Sequence, residues 1–157
     1  MQEKIFLNGK YQIIKTCSIT GKVLYTSDWY DNLIMQGTNT GRDLILDRLN
    51  SDNTFSLNIT YLDIGTSSTA PLISNTNLIA GVARTAKASG SVSGSALTFG
   101  FFFTSGSLAN GTYNEIGLFV DGTASLGTGQ IFSRALFGSP YIKGTNEDTT
   151  INYVINS

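Results

Sequence analysis

The chain has 157 residues with ten basic and eleven acidic side chains, a net charge of -1, and this length suits one domain with a core of its own. Only 13% of the residues are charged, whereas Gly, Ser, Thr and Asn fill 66 of the 157 positions, a neutral and turn-rich composition that points to β-structure. The charge balance offers no cationic face for phosphate binding, and the absence of histidine removes Ser/His/Asp and Cys/His nucleophile systems and His-ligated zinc.

The start, MQEKIFLNGK, lacks the long apolar stretch of a signal peptide, and nowhere do about 18 apolar residues run together. A soluble chain outside the Sec route, with no membrane and no nucleic-acid partner, is therefore expected. Period-two alternation then takes over. Tyr11, Ile13, Lys15, Cys17 and Ile19 alternate with Gln12, Ile14, Thr16 and Ser18, and Thr20-Gly21 turns the chain into a strand over 22–27, a predicted hairpin. Cys17 has no second cysteine for a disulfide or thiolate cluster, and in this apolar run it reads as a buried structural thiol. A third extended piece covers 28–35.

Residues 38–49 form the one predicted helix, with Thr38 or Asn39 as its cap and Leu44, Ile45 and Leu49 as an apolar stripe against Arg42, Asp43 and Asp47. A strand over 58–64 follows, then a surface connection over 72–81, then strands over 82–89, 96–104, 113–120, 130–137 and 149–155. Gly, Ser and Asn clusters separate them. Eight or nine short strands at this spacing fit a sandwich or a partly open barrel. In the strand over 96–104, Leu97, Phe99, Phe101 and Phe103 share one face, the expected core face, and Phe102 points the other way. Burying each of the three phenylalanines on that face is worth about 1.5 to 3 kcal/mol.

From Asn32 onward the order of motifs resembles small virion structural proteins of tailed bacteriophages. The matching pieces are Asn32-Leu33-Ile34 ahead of the helix, Tyr61-Leu62-Asp63-Ile64-Gly65-Thr66 followed by Ala70-Pro71, and Val82-Ala83-Arg84. They continue with Asn110-Gly111-Thr112-Tyr113-Asn114-Glu115-Ile116-Gly117-Leu118-Phe119, Ile131-Phe132-Ser133-Arg134 and Asp148-Thr149-Thr150-Ile151-Asn152-Tyr153-Val154-Ile155. The resemblance implies a non-enzymatic all-β module built into a particle, encoded among tail or fibre genes. The expected fold is a jelly-roll-like or immunoglobulin-like sandwich over 28–157 with one short helix, preceded by an arm and hairpin over 1–27. Residues 1–27 match the resemblance least; of these, residues 1–9 are expected to dock on a neighbouring subunit and the rest to join the domain's own sheet.

Glu115 interrupts an apolar strand, where a lone carboxylate is costly to desolvate, and Arg84 and Arg134 lie in similarly apolar strands. A structural ion pair between Glu115 and one of these arginines is predicted. A glycosidase would need two facing carboxylates, but Asp28, Asp31, Asp63, Asp121, Glu147 and Asp148 stand mostly at strand ends and turns, where they serve the backbone. The turns at 121–123 and 146–148 match no cation-binding loop, and the glycines in 106–111 and 122–129 have no phosphate-cradle context. Neither a metal nor a cofactor is expected. Trp29 and Tyr30, flanked by Asp28 and Asp31, could instead stack on a host glycan, which makes a carbohydrate-binding module the alternative of another class. Ile5, Phe6, Leu7, Ile14 and Phe102 are left over as an expected interface. The sequence reading is thus a virion protein made in the host cytoplasm, in the tail, baseplate or fibre apparatus. Capsid decoration or a head fibre is its near rival, and other virion proteins and further copies of itself are its expected partners.

Overall fold

Alternation at the start of the chain builds the wall that closes the molecule. In the computed structural model, which describes residues 7–157, β1 (Asn8–Cys17) turns Tyr11 and Ile13 into the core and pairs along its whole length with β9 (Glu147–Asn156). Its other edge is shared by β2 (Val23–Thr26) and β3 (Tyr30–Ile34), two halves of one broken strand. The pairing steps from Ile14↔Thr26 to Tyr11↔Tyr30, so one extra residue is accommodated at Asp28-Trp29, a bulge that bends β2 away from the line of β3.

The remaining strands are β4 (Ile59–Gly65), β5 (Gly81–Ser93), β6 (Ala96–Phe103), β7 (Gly111–Val120) and β8 (Gln130–Lys143). All pairings are antiparallel, in the order β1-β3-β8-β7-β4-β5-β6-β9 and back to β1. The sheet therefore closes into an eight-stranded barrel, and the expected sandwich is corrected on this point. Strand spacing is the same in both architectures. Closure comes from β1 pairing on both edges and from β5, which pairs with β4 through Ala86 and with β6 from Lys87, turning a corner at its bulge.

The barrel is filled by aromatic and branched side chains. Phe99, Phe101, Phe103, Ile151, Tyr153 and Ile155 meet Tyr11, Ile13, Leu62, Ile116 and Leu118 there, while Phe102 points outward. The helix α1 (Gly41–Leu49) is shorter than expected and packs on β8. Thr40, not Thr38 or Asn39, holds its cap position, and only Leu44 of the expected stripe is fully buried; Ile45 is half-buried and Leu49 is exposed.

The outer side of β4, β7 and β8 is also covered, by the connections over 66–80 and 121–129 and by a small cluster of Met35, Phe119 and Ile131. Burial on both faces explains why β7 is almost continuously apolar. Asn8 and Gly9, expected in a docking arm, pair with Asn156 and Ile155 in the barrel wall.

Candidate functional site

Three features of the barrel bear on function: its buried charges, its outer wall over β1, β9 and β6, and a crevice beside β2. Register places Arg84, Asp63, Gly117 and Arg134 in one row across β5, β4, β7 and β8, with Gly65 and Glu115 paired two residues away along the strands. Leu62 and Ile64 face the core, so Asp63 faces the outer layer, and the same alternation around Ile116 turns Glu115 there.

Glu115 and Arg134 are wholly buried and joined through Oε2, which accepts from Nε at 2.9 Å and from Nη2 at 2.8 Å. Each also grips the covering connection. Glu115 accepts from the Ile79 and Ala80 backbone N–H groups at 3.1 and 2.6 Å, and Arg134 donates to the Thr69 carbonyl at 2.8 Å and to Asn75 Oδ1 at 3.1 Å. Gly65 has to be glycine because a Cβ there would lie 2.6 Å from Glu115 Oε1 and 2.5 Å from the Ala80 carbonyl oxygen.

Arg84 is not a partner of Glu115; its fork meets Asp63 at 2.5 and 3.0 Å. Its Nη1 donates among the Thr123 and Ser125 carbonyls and Thr128 Oγ1 at 2.7 to 2.9 Å, and its plane lies over Phe119 and Tyr61. Burial pushes the Asp63 carboxyl above the usual carboxylate range, against the pull of Arg84 and of the Gly127 N–H. The sequence reading grouped Asp63 with the turn acids and missed this pair. The signal was present, since Asp63 stands between Leu62 and Ile64 as Glu115 stands before Ile116.

Three of the other acids serve the backbone, one of them through a half-buried ion pair as well. Asp121 accepts from Ser56 N–H at 2.7 Å, Asp148 from Ser105 N–H at 2.7 Å, and Glu147 from Gly144 N–H at 2.5 Å and Lys15 at 3.1 Å. Cys17 is half-buried at the end of β1, short of the expected full burial. The hydroxyl and N–H of Thr20 hold its thiol below the usual range.

Trp29 and Tyr30 do not form one platform. Tyr30 turns inward against Tyr11, while Trp29, in the bulge, is 44% exposed and borders a shallow hollow of about 300 Å³ on the outer wall. Asp28 and Asp31 are exposed, and Asp31 lies 3.8 Å from Lys10. Register across β1, β9, β6 and β5 lines up Gln12, Asn152, Gly100 and Ser89, so the missing side chain at Gly100 leaves the hollow with amides and a hydroxyl around it.

The next row along the same wall is Thr26, Ile14, Thr150 and Phe102. Two of the expected interface residues, Ile14 and Phe102, thus share a row with Thr150 between them. Ile14 is half-buried and Phe102 is 42% exposed. Leu7 is half-buried and packs against the core, which takes it out of any free surface, and Ile5 and Phe6 lie outside the described residues. These two central rows carry no charged side chain.

The crevice lies where the bulge parts β2 from β8, with a volume of about 190 Å³ between Lys15, Tyr25 and Ser27 on one side and Phe137, Pro140 and Tyr141 on the other. Burial pushes the Tyr141 hydroxyl up to about 12. No protein-family model, no curated protein and no solved structure matches the chain.

Proposed function

We propose that this chain is a non-enzymatic structural protein of a bacteriophage particle, present in many copies and held by protein–protein contacts in the tail, baseplate or fibre apparatus. One observation carries the reading. Four of the five charged residues of the resembling motifs, Asp63, Arg84, Glu115 and Arg134, are consumed in two buried pairs that fasten loops to a barrel, and the fifth, Asp148, accepts from the Ser105 N–H. Motifs of this kind maintain a shape, and their carboxylates are already committed to arginine and backbone partners. The uncharged rows through Ile14, Thr150 and Phe102 and through Gln12 and Asn152 supply a face that another virion protein could cover at little desolvation cost.

The test is direct. Particles banded from a lysate of the bacterium carrying the gene should contain the chain in fixed, multiple copy number, and antibody labelling should place it on the tail. Labelling of the head would transfer the reading to capsid decoration, and absence from particles would end it.

A second reading is favoured by Trp29 beside the Gln12, Asn152 and Ser89 row: an aromatic plane next to amide and hydroxyl groups suits a neutral sugar ring. Trp29 is the chain's one tryptophan, so its fluorescence reports this site alone. Saturable quenching by a host oligosaccharide, lost in Trp29→Ala, supports a carbohydrate-binding module; no change with a panel of host glycans rejects it.

A further inference from the structure

Lys143, the last residue of β8, is only 2% exposed, and no carboxylate of the described residues is in ion-pair contact with it. Its Nζ donates to the Ser105 carbonyl at 2.7 Å and to Asn110 Oδ1 at 3.0 Å. Glu147 is engaged elsewhere, with the Gly144 N–H and Lys15. Arg84 and Arg134 each meet a carboxylate, whereas Lys143 is held by neutral acceptors alone. A buried charge in that condition is costly, and a carboxylate at position 110 would relieve it.

Asn110 is placed to become one. Gly111 follows it and has no Cβ to hinder the approach of its nitrogen to the Asn110 side chain. Both residues are exposed at the start of β7. Gly111 lies opposite Lys143 of β8, and β4 joins β7 only from Glu115 onward, so no described strand holds the other edge of Gly111. The Lys143 contact sets an ammonium on the oxygen where negative charge develops when Cγ is attacked, and Nδ2 donates to Thr145 Oγ1 at 2.8 Å. The other Asn-Gly pair of the chain, Asn8-Gly9, is held differently. Gly9 is buried in the barrel wall, paired with Asn32 on one edge and Ile155 on the other.

We propose that Asn110 is a self-deamidation site: the folded chain converts it to Asp without an enzyme, and the new carboxylate pairs with Lys143. Gly111 N attacks Asn110 Cγ while its proton passes to the side-chain nitrogen, which leaves as ammonia, and the new N–Cγ bond closes a succinimide. Water then adds at Cγ, the N–Cγ bond breaks and Gly111 N regains a proton. The net change is amide and water to acid and ammonia. Because Lys143 polarises the Cγ carbonyl in both steps, water adds there and the main chain is restored with Asp; opening at the other carbonyl would give isoAsp. The product ties the start of β7 to the end of β8 by an ion pair formed only after folding. The site stands whether or not the chain enters particles.

The full chain, freshly purified and then held in mildly alkaline buffer, should gain the mass of an amide-to-acid conversion. Peptide mapping should place the change at Asn110, as Asp, with Asn8 unaltered, whereas in urea both sites should convert and isoAsp should predominate. Lys143→Met keeps an apolar stem in place and should slow conversion at Asn110 in the folded chain by about tenfold or more. Asn110→Asp should melt above the parent chain, since a charge-assisted bond replaces one to a neutral acceptor. No conversion at Asn110, equal conversion of Asn8 in the folded chain, isoAsp as the main folded-state product, or a folded Lys143→Met that reacts at the parent rate overturns the proposal. So does a mass loss of ammonia, which would mean that Lys143 itself attacks Asn110 and cross-links to it. If Lys143→Met does not fold, Asn110→Asp decides: melting at or below the parent temperature overturns the proposal.

Discussion

At the scale of single residues, the two buried arginines differ in what they hold, and this sets different costs. Glu115→Gln leaves Arg134 charged and wholly buried without its counter-ion, a loss of about 3 to 5 kcal/mol. Asp63→Asn leaves Arg84 with the Thr123, Ser125 and Thr128 acceptors, so about 1.5 to 3 kcal/mol is expected. Urea denaturation of both variants checks the order, and the reverse order would contradict this account. Replacing the first pair by Glu115→Leu with Arg134→Met should recover much of the stability but free the 66–80 connection, seen as faster proteolysis there.

Tyr141 belongs to the same scale. Its hydroxyl is raised by burial from 10.0 to about 12 and shares a 2.6 Å hydrogen bond with Thr149. A raised phenol favours the folded state while it is neutral, so that contribution is whole below about pH 10 and is lost as pH climbs toward about 12. Burial raises Tyr11 and Tyr153 in the same direction. Urea midpoints should therefore fall between about pH 10 and about pH 12, in step with tyrosinate absorbance. A midpoint flat across that range would refute the assignment.

At the scale of elements, turns and close approaches decide where strands stop. Gly129 has a φ of +85°, and a Cβ there would meet the Val120 carbonyl oxygen at 2.4 Å and the Gly122 nitrogen at 2.6 Å. Gly21, at a φ of +71° in the β1–β2 turn, has nothing within 4 Å. Gly21→Ala should cost the conformational penalty of about 1 to 2 kcal/mol, and Gly129→Ala clearly more, because backbone must move. Equal midpoints for the two variants would show that the 121–129 loop yields freely.

Glycine and proline also misled the reading of strand lengths. β5 runs on through Gly90 to Ser93 because β6 pairs with it there, and β8 runs on through Pro140 to Lys143. Register with β7 jumps from Tyr113↔Tyr141 to Glu115↔Leu136, so Pro140 sits in the bulged stretch, where no ladder bond is required of it.

For the whole molecule, closure is the feature that every strand depends on. β9 lies between β1 and β6 and is paired along both edges, so removing residues 147–157 opens the barrel on two sides and exposes Phe99, Phe101 and Tyr11. That truncation should abolish cooperative unfolding and the near-ultraviolet circular dichroism of the packed aromatic residues. A cooperative transition in the truncated chain would mean that the remaining strands hold a core without closure.

Composition and alternation by themselves determined the strand-rich class, the inward faces of β1, β6 and β9, the hairpin turn at Thr20-Gly21 and the need of Glu115 for a cationic partner. Each is local, fixed by the side-chain period of two or by the cost of burying a charge. Tertiary structure alone decided that the sheet closes, that Arg134 rather than Arg84 meets Glu115, and that Trp29 and Tyr30 part to opposite sides of the wall. These outcomes depend on which strands become neighbours and on one extra residue at a bulge. A one-residue step in pairing reverses the side on which a side chain emerges, and no local pattern along the chain encodes it.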